Sequence, residues 1–194
     1  MSHRRQVALV VEGHGEVQAL PLLVRRILAE RGHTATVTKP HRIQRSRMLS
    51  ELRRAVSLHR ARVGEDGLVL IVFDADDCDT GVAAGRALDV AADGHPVAVC
   101  VAVREYEAWF LSALESLASH RAVCDDAAYE EDPELRRGAK EQLRDRMTEP
   151  YRETIHQPAF SQLMDLTVAR RRSPSFAGLC HTLWQWAGDE GHGT

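Results

Sequence analysis

Segments that are apolar along their whole length, alternating with amphipathic helices, leave this chain very few ways to fold. After Gln6, residues 7–11 are uniformly apolar and stop at Glu12-Gly13, the pattern of a strand buried on both faces. Val17, Leu20, Leu23, Val24, Ile27 and Leu28 then recur every three or four positions. That spacing predicts an amphipathic helix stopped by Gly32, with Pro21 loosening its first turn. A β-branched strand over 34–38 ends at Pro40. Ser46 is placed to cap a second helix, with Leu49, Leu52, Val56 and His59 on one face and arginines on the other. The turn at 64–67 feeds an apolar strand over 68–73, which runs straight into Asp74-Ala75-Asp76-Asp77. A small-residue helix over about 82–92, a strand over 97–103 and a helix from about 106 to 119 complete the series. Such βα alternation predicts a parallel sheet with helices on both faces.

The last third reads differently. An acidic stretch precedes a charged helix near 134–147, Tyr151 and His156 fall in a loop-rich segment, and Ser173 and Ser175 lead an apolar helix over 176–187. The expected class is therefore α/β, Rossmann-like: a central, mostly parallel sheet flanked by helices in 1–120, with a helical C-terminal extension over 121–194 packed on that core. With 44% apolar and 27% charged residues the chain reads as water-soluble and globular. Its apolar runs fall well short of the ~20 residues of a membrane span, and its N-terminus lacks a secretory apolar region, so the expected compartment is the cytoplasm. Cys78, Cys100, Cys124 and Cys180 form no C-x-x-C pair, which argues against a zinc knuckle or a disulfide framework. Cys100 reads as a small core residue. His3, His33, His41, His59 and His120 stand singly among polar residues and read as solvated.

The chemistry lies in where the acids fall. In open parallel sheets, ligands bind beyond the carboxyl ends of the strands. Three of the four predicted strands end in acids: Glu12 after the first, Asp74 and Asp76 after the third, and Glu105 after the fourth. Glu16 lies one helical turn past Glu12, and Asp77 adjoins the central pair. Two carboxylates about 4 Å apart repel by roughly 4 kcal/mol at an effective dielectric near 20. A crevice holding several needs cations such as magnesium or manganese, or else protonation or arginine partners. Carboxylates holding hard metals suit chemistry at phosphorus.

A basic segment complements them. Residues 39–62 hold Lys39, Arg42, Arg45, Arg47, Arg53, Arg54, Arg60 and Arg62 against the single acid Glu51. That window is +7 in a chain of net −3, so the remainder carries −10. Arg42, Arg45, Arg47, Arg53 and Arg54 are the candidates for contact with a nucleic-acid backbone; a solvated helix face is the alternative.

The strand end Val10-Val11-Glu12-Gly13 and the later Phe73-Asp74-Ala75-Asp76-Asp77 resemble the Toprim domain shared by topoisomerases, bacterial-type primases, ribosomal RNA maturases and OLD-family nucleases. Further segments are Ala19-Leu20-Pro21, Arg104-Glu105-Tyr106-Glu107-Ala108-Trp109-Phe110-Leu111, Asp132-Pro133-Glu134 and Gly138-Ala139-Lys140. With these, the chain is similar over about residues 6–180 to a small stand-alone Toprim-like family of bacteria named only as a domain of unknown function. The resemblance implies that Glu12 binds metal or acts as general acid/base, and that Asp74 and Asp76 are metal ligands. It also implies that Glu16 serves a second metal, as in OLD-type nucleases, that Glu105 is a further ligand, and that Lys140 neutralises charge at the scissile phosphate. Gly13-His14-Gly15 is not a P-loop, since no G-K-S/T follows. The ATPase fused to OLD-type proteins would then be a separate partner subunit, as in two-gene defence-type systems.

The expected activity is magnesium- or manganese-dependent hydrolysis of DNA or RNA phosphodiesters. Two other classes compete. Asp74-x-Asp76 mimics the nucleophile pair of haloacid dehalogenase-type phosphatases, but those place it after the first strand, not the third. A regulatory subunit that binds metal and nucleic acid without turnover fits the small size of the chain.

Overall fold

The computed structural model describes residues 5–75 and 96–188. The expected helix over 82–92, and with it Asp76, Asp77 and Cys78, lies outside the described residues. Strand β1 (Gln6–Val11) is followed by α1 (Glu16–Ala29), two short strands β2 (Thr36–Val37) and β3 (His41–Arg42), and α2 (Met48–Val63). Then come β4 (Leu68–Asp74), β5 (Val97–Ala102) and α3 (Glu107–Leu111). The remaining helices are α4 (Ala139–Arg144), α5 (Glu153–Leu163), α6 (Leu166–Arg172) and α7 (Pro174–Ala187).

Every described pairing is parallel, in the order β2-β1-β4-β5, with β3 extending the β1 edge beyond β2. This is the expected α/β sheet. Alternation along each strand divides the core in two. Val7, Leu9, Val11, Leu70 and Val72 pack under α1 and α7, while Ala8, Val10, Val69, Ile71 and Phe73 meet Leu52, Ala55 and Val56 of α2. Both faces are covered, which is why the long strands β1, β4 and β5 carry almost no polar residue.

The register sets the site. Val11 stands opposite Val72, and Asp74 opposite Ala102. Glu12 and Asp74 therefore leave two adjacent central strands at the same edge of the sheet.

Several expected elements differ. Ser46 does not cap α2; Arg47 stands at that position after a 3-10 turn over Arg45–Arg47, with no side-chain cap. The helix expected over 106–119 stops at Leu111 and resumes as a 3-10 turn, Leu114–Leu117, although its apolar residues Trp109, Phe110, Ala113, Leu114 and Leu117 are buried. The charged helix expected over 134–147 is confined to Ala139–Arg144, because Gly138 at φ 75° breaks it. Glu134 is drawn instead to the start of α7, where it accepts from Ser175 N–H at 3.0 Å. Ser173 caps that helix, accepting from Phe176 N–H at 3.1 Å.

The stretch read as loop-rich is helical from Glu153 on, so that His156 is in a helix and Tyr151 in the loop before it. Of the four buried residues of α5, His156, Gln157 and Ser161 are polar and only Phe160 is apolar, and Pro158 lies inside the helix. A search for apolar periodicity passes over such a segment. Helix α5 is fixed to α1 by Arg26, which donates to Ser161 O at 2.8 Å and Met164 O at 2.9 Å. Trp184 on α7 donates to Ile27 O at 2.8 Å. His59 is also corrected: it is buried, and its Nε2 lies 3.2 Å from Nδ1 of His41. No helix among the described residues is long and apolar enough to cross a membrane.

Candidate functional site

A polar cleft of about 280 Å³ opens at the carboxyl ends of β1 and β4. Glu12, Glu16 and Asp74 line it, together with Arg42, Arg45 and Lys140. The tertiary structure adds His14, Gln44, Tyr106, Glu107, Glu153 and Gln157 to its walls.

The loop between β1 and α1 is built around its glycines. Glu16 folds back, so that its Oε2 accepts from Glu12 N–H at 3.3 Å. A Cβ on Gly13 would stand 2.6 Å from Glu16 Oε1. A Cβ on Gly15 would overlap Gln157 Oε1 and stand 2.8 Å from the Glu153 carbonyl. Both glycines thus allow close approach, one to a side chain of the loop and one to α5. Gly15→Ala is expected to destabilise the fold by about 1–3 kcal/mol, the usual cost of overpacking, as read from urea unfolding; an unchanged midpoint would mean that α5 does not press on this loop.

Glu16 is buried, and its carboxyl is raised to about 8. Loss of solvation is the main cause; the N–H groups of Gly13 and Glu12 oppose it, and the Glu12 and Glu107 carboxylates add to it. Such a group ionises near neutrality only beside a cation. Glu12 is partly exposed and pairs with Arg45, Oε2 to Nη1 at 3.1 Å. Its carbonyl accepts from Arg42 Nη1 at 3.2 Å.

The chain beyond β5 sends two acids in different directions. Arg104 takes a left-handed φ of 67°, an uncommon conformation for a residue other than glycine. Glu105 then turns to the start of α4, where its Oε2 accepts the Lys140 backbone N–H at 2.8 Å. Glu107 instead enters the cleft wall. It is buried, and its Oε1 accepts from the Tyr151 hydroxyl at 2.9 Å and Gln157 Nε2 at 3.1 Å. Burial pushes its carboxyl up, against the pull of Lys140 and these donors.

Lys140 Nζ pairs with Glu153 Oε1 at 2.7 Å. Burial works against its charge, but the hydrogen bond to Glu153 and the carboxylates of Glu107 and Glu105 outweigh it and push its pKa up. The ammonium stays charged throughout the working pH range.

The candidates read from sequence thus fall into three groups. Glu12, Glu16, Asp74, Arg42, Arg45 and Lys140 share the cleft. Glu105 supports α4 from outside its lining, while Arg47 pairs with Glu51 at 3.3 Å and Arg53 and Arg54 are exposed on α2. Asp76 and Asp77 are beyond the described residues. Of the residues that sequence reading missed, Glu107 carried a signal, two positions after an acidic strand end. Glu153 and Gln157 carried none, because their helix was not recognised.

A family model described as Domain of unknown function (DUF4276) matches residues 11–184. The chain belongs to this family. The match runs from the last residue of β1 to Trp184 on α7, so the family region takes in every residue that lines the cleft. No curated protein and no solved structure matches the chain.

A hard divalent cation suits the donors in chemistry, since Glu12, Glu16 and Asp74 offer only oxygen. Among the described residues no three acidic, imidazole or thiol side chains are arranged as a finished ligand set. Glu16, buried beside the Glu12 and Glu107 carboxylates and lining the cleft, is the group whose ionisation a cation there would favour.

Proposed function

We propose that this chain is a magnesium- or manganese-dependent phosphodiesterase of the Toprim nuclease type, acting on nucleic acid and working with a separate ATPase subunit in a defence-type system. The observation that carries the reading is one cleft, at adjacent parallel strand ends, that combines Glu12, Glu16 and Asp74 with Arg42, Arg45 and Lys140. Acids alone would suggest a cation store, and cations alone an anion pocket. The combination suits a phosphodiester, whose charge must be bound while its phosphorus is made electrophilic.

Glu12, Glu16 and Asp74 would hold the ion, with Asp76 following in sequence. A bound ion there supplies Lewis acidity at phosphorus and lowers the pKa of the attacking water. The protein's own groups do the rest. Arg42 and Arg45 bind the nonreacting phosphate oxygens and orient the chain. Lys140, kept protonated by its three acidic neighbours, faces the negative charge that builds in the transition state. Burial of Glu107 with Tyr151 and Gln157 keeps that wall rigid.

The test is cleavage of supercoiled DNA, linear single- and double-stranded DNA, and RNA, with each metal. The parent is compared with Asp74→Asn/Asp76→Asn. Loss of at least about 100-fold is expected, the usual scale for removing a group that stabilises transition-state charge. Equal rates in parent and variant would sink the reading. A binding subunit without turnover is the second reading, favoured by the engagement of Arg45 and Lys140 with acids of the protein itself. Metal-dependent nucleic-acid binding with no cleavage is its signature.

A further inference from the structure

The guanidinium of Arg45 lies across the junction of the two central strands. Its Nη1 donates to Glu12 Oε2 at 3.1 Å and to the Asp74 carbonyl, and its Nη2 donates to the Ala75 carbonyl at 3.4 Å. One planar cation thus joins the acid at the end of β1 to the backbone at the end of β4. These are the strand ends whose carboxylates line the cleft. Arg45 starts a three-residue 3-10 turn between buried Ile43 and buried Met48, and its own side chain is 38% exposed. The turn is anchored at both sides, while the long side chain keeps an open path to solvent.

A guanidinium and a divalent ion at this junction would compete for the Glu12 carboxylate. The arginine offers one charge in a fork that matches a carboxylate or a phosphate equally well. The small ion offers two charges and draws carboxylate oxygens to it at close range.

We propose that Arg45 is a positioning residue that exchanges with the divalent cation: it ties the ends of β1 and β4 together while no ion is bound, and turns to a substrate phosphate once the ion takes its place. This rests on the metal-dependent reading above. The exchange keeps the acidic junction neutralised in both states, and it frees a phosphate-binding group only when the cleft is loaded. Loading and substrate capture are thereby linked through one side chain.

Titration of the full chain with Mn²⁺ alone, followed by calorimetry, tests the exchange. Removing the competing ion pair in Arg45→Gln should tighten Mn²⁺ binding roughly fivefold, the upper range for a partly exposed pair. Arg45→Lys keeps a charge but loses the fork and should fall between. Arg62→Gln removes the same charge from the far end of α2 and should stay within about twofold of the parent. Circular dichroism confirms that each variant is folded. Unchanged or weaker Mn²⁺ binding by folded Arg45→Gln would overturn the exchange and leave the metal reading standing. Equal tightening by Arg62→Gln would also overturn it, since general charge would then be the cause. No Mn²⁺ binding by the parent or by Arg45→Gln would overturn the metal reading itself.

Discussion

In a chelating buffer, Glu16→Gln is expected to gain stability over the parent as pH rises from about 4.5 to about 8. The folded parent holds the Glu16 proton up to about pH 8, whereas the unfolded chain releases it near 4.5. Between those values the folded state binds the extra proton, so raising pH favours unfolding of the parent. The variant has no proton to lose. The difference between the two should therefore grow by about 1.4 kcal/mol for each pH step of one, to as much as about 5 kcal/mol across the window, and then level off. Below about pH 4.5 both states are protonated and the offset is constant. Urea midpoints at closely spaced pH values measure it directly. Parallel curves would mean that Glu16 is solvated and ionised in the folded protein. Saturating Mn²⁺ should reverse the trend, because a bound cation favours the ionised carboxylate that only the parent has.

Trp109→Ala is the second large effect. The indole is fully buried, and its Nε1 donates to Ser175 Oγ at 2.8 Å. It packs at ring-centroid distances of 4.8 Å from Tyr106 and 5.6 Å from Phe176. Truncation leaves a large cavity and removes a donor from the Ser175–Glu134 cluster that starts α7. A loss of about 3–5 kcal/mol is expected from urea unfolding. Trp109→Phe should recover most of the packing but not the hydrogen bond. The effect should reach the cleft, since α3 also carries Glu107, with Tyr106 just before it. A loss under about 1 kcal/mol would mean that α3 can collapse onto the gap.

The parallel sheet was legible in the sequence because the inner stretches of β1 and β4, 7–11 and 68–73, are buried on both faces and so are apolar at every position. Glu12 and Asp74 were legible for a related reason: an acid that closes an apolar run must sit at a strand end. Their convergence needed the strand order as well, and β1 beside β4 in parallel register supplied it. Glu105 shows the limit of that logic. It also closes an apolar run, yet one left-handed residue, Arg104, turns it away to the backbone of Lys140.

Apolar periodicity alone determined the α/β layering, the helices α1, α2 and α7, and the strand ends from which acids emerge. Those features depend on local spacing and burial, which a single chain displays along its length. Tertiary structure decided that α5 closes the cleft, and that Glu107, Glu153 and Gln157 share its lining with Lys140. It also decided that Arg45 spans the two central strand ends. These contacts join residues from about 13 to more than 140 positions apart. They are made by polar side chains that find their partners only in three dimensions, and periodicity in sequence carries no record of such partners.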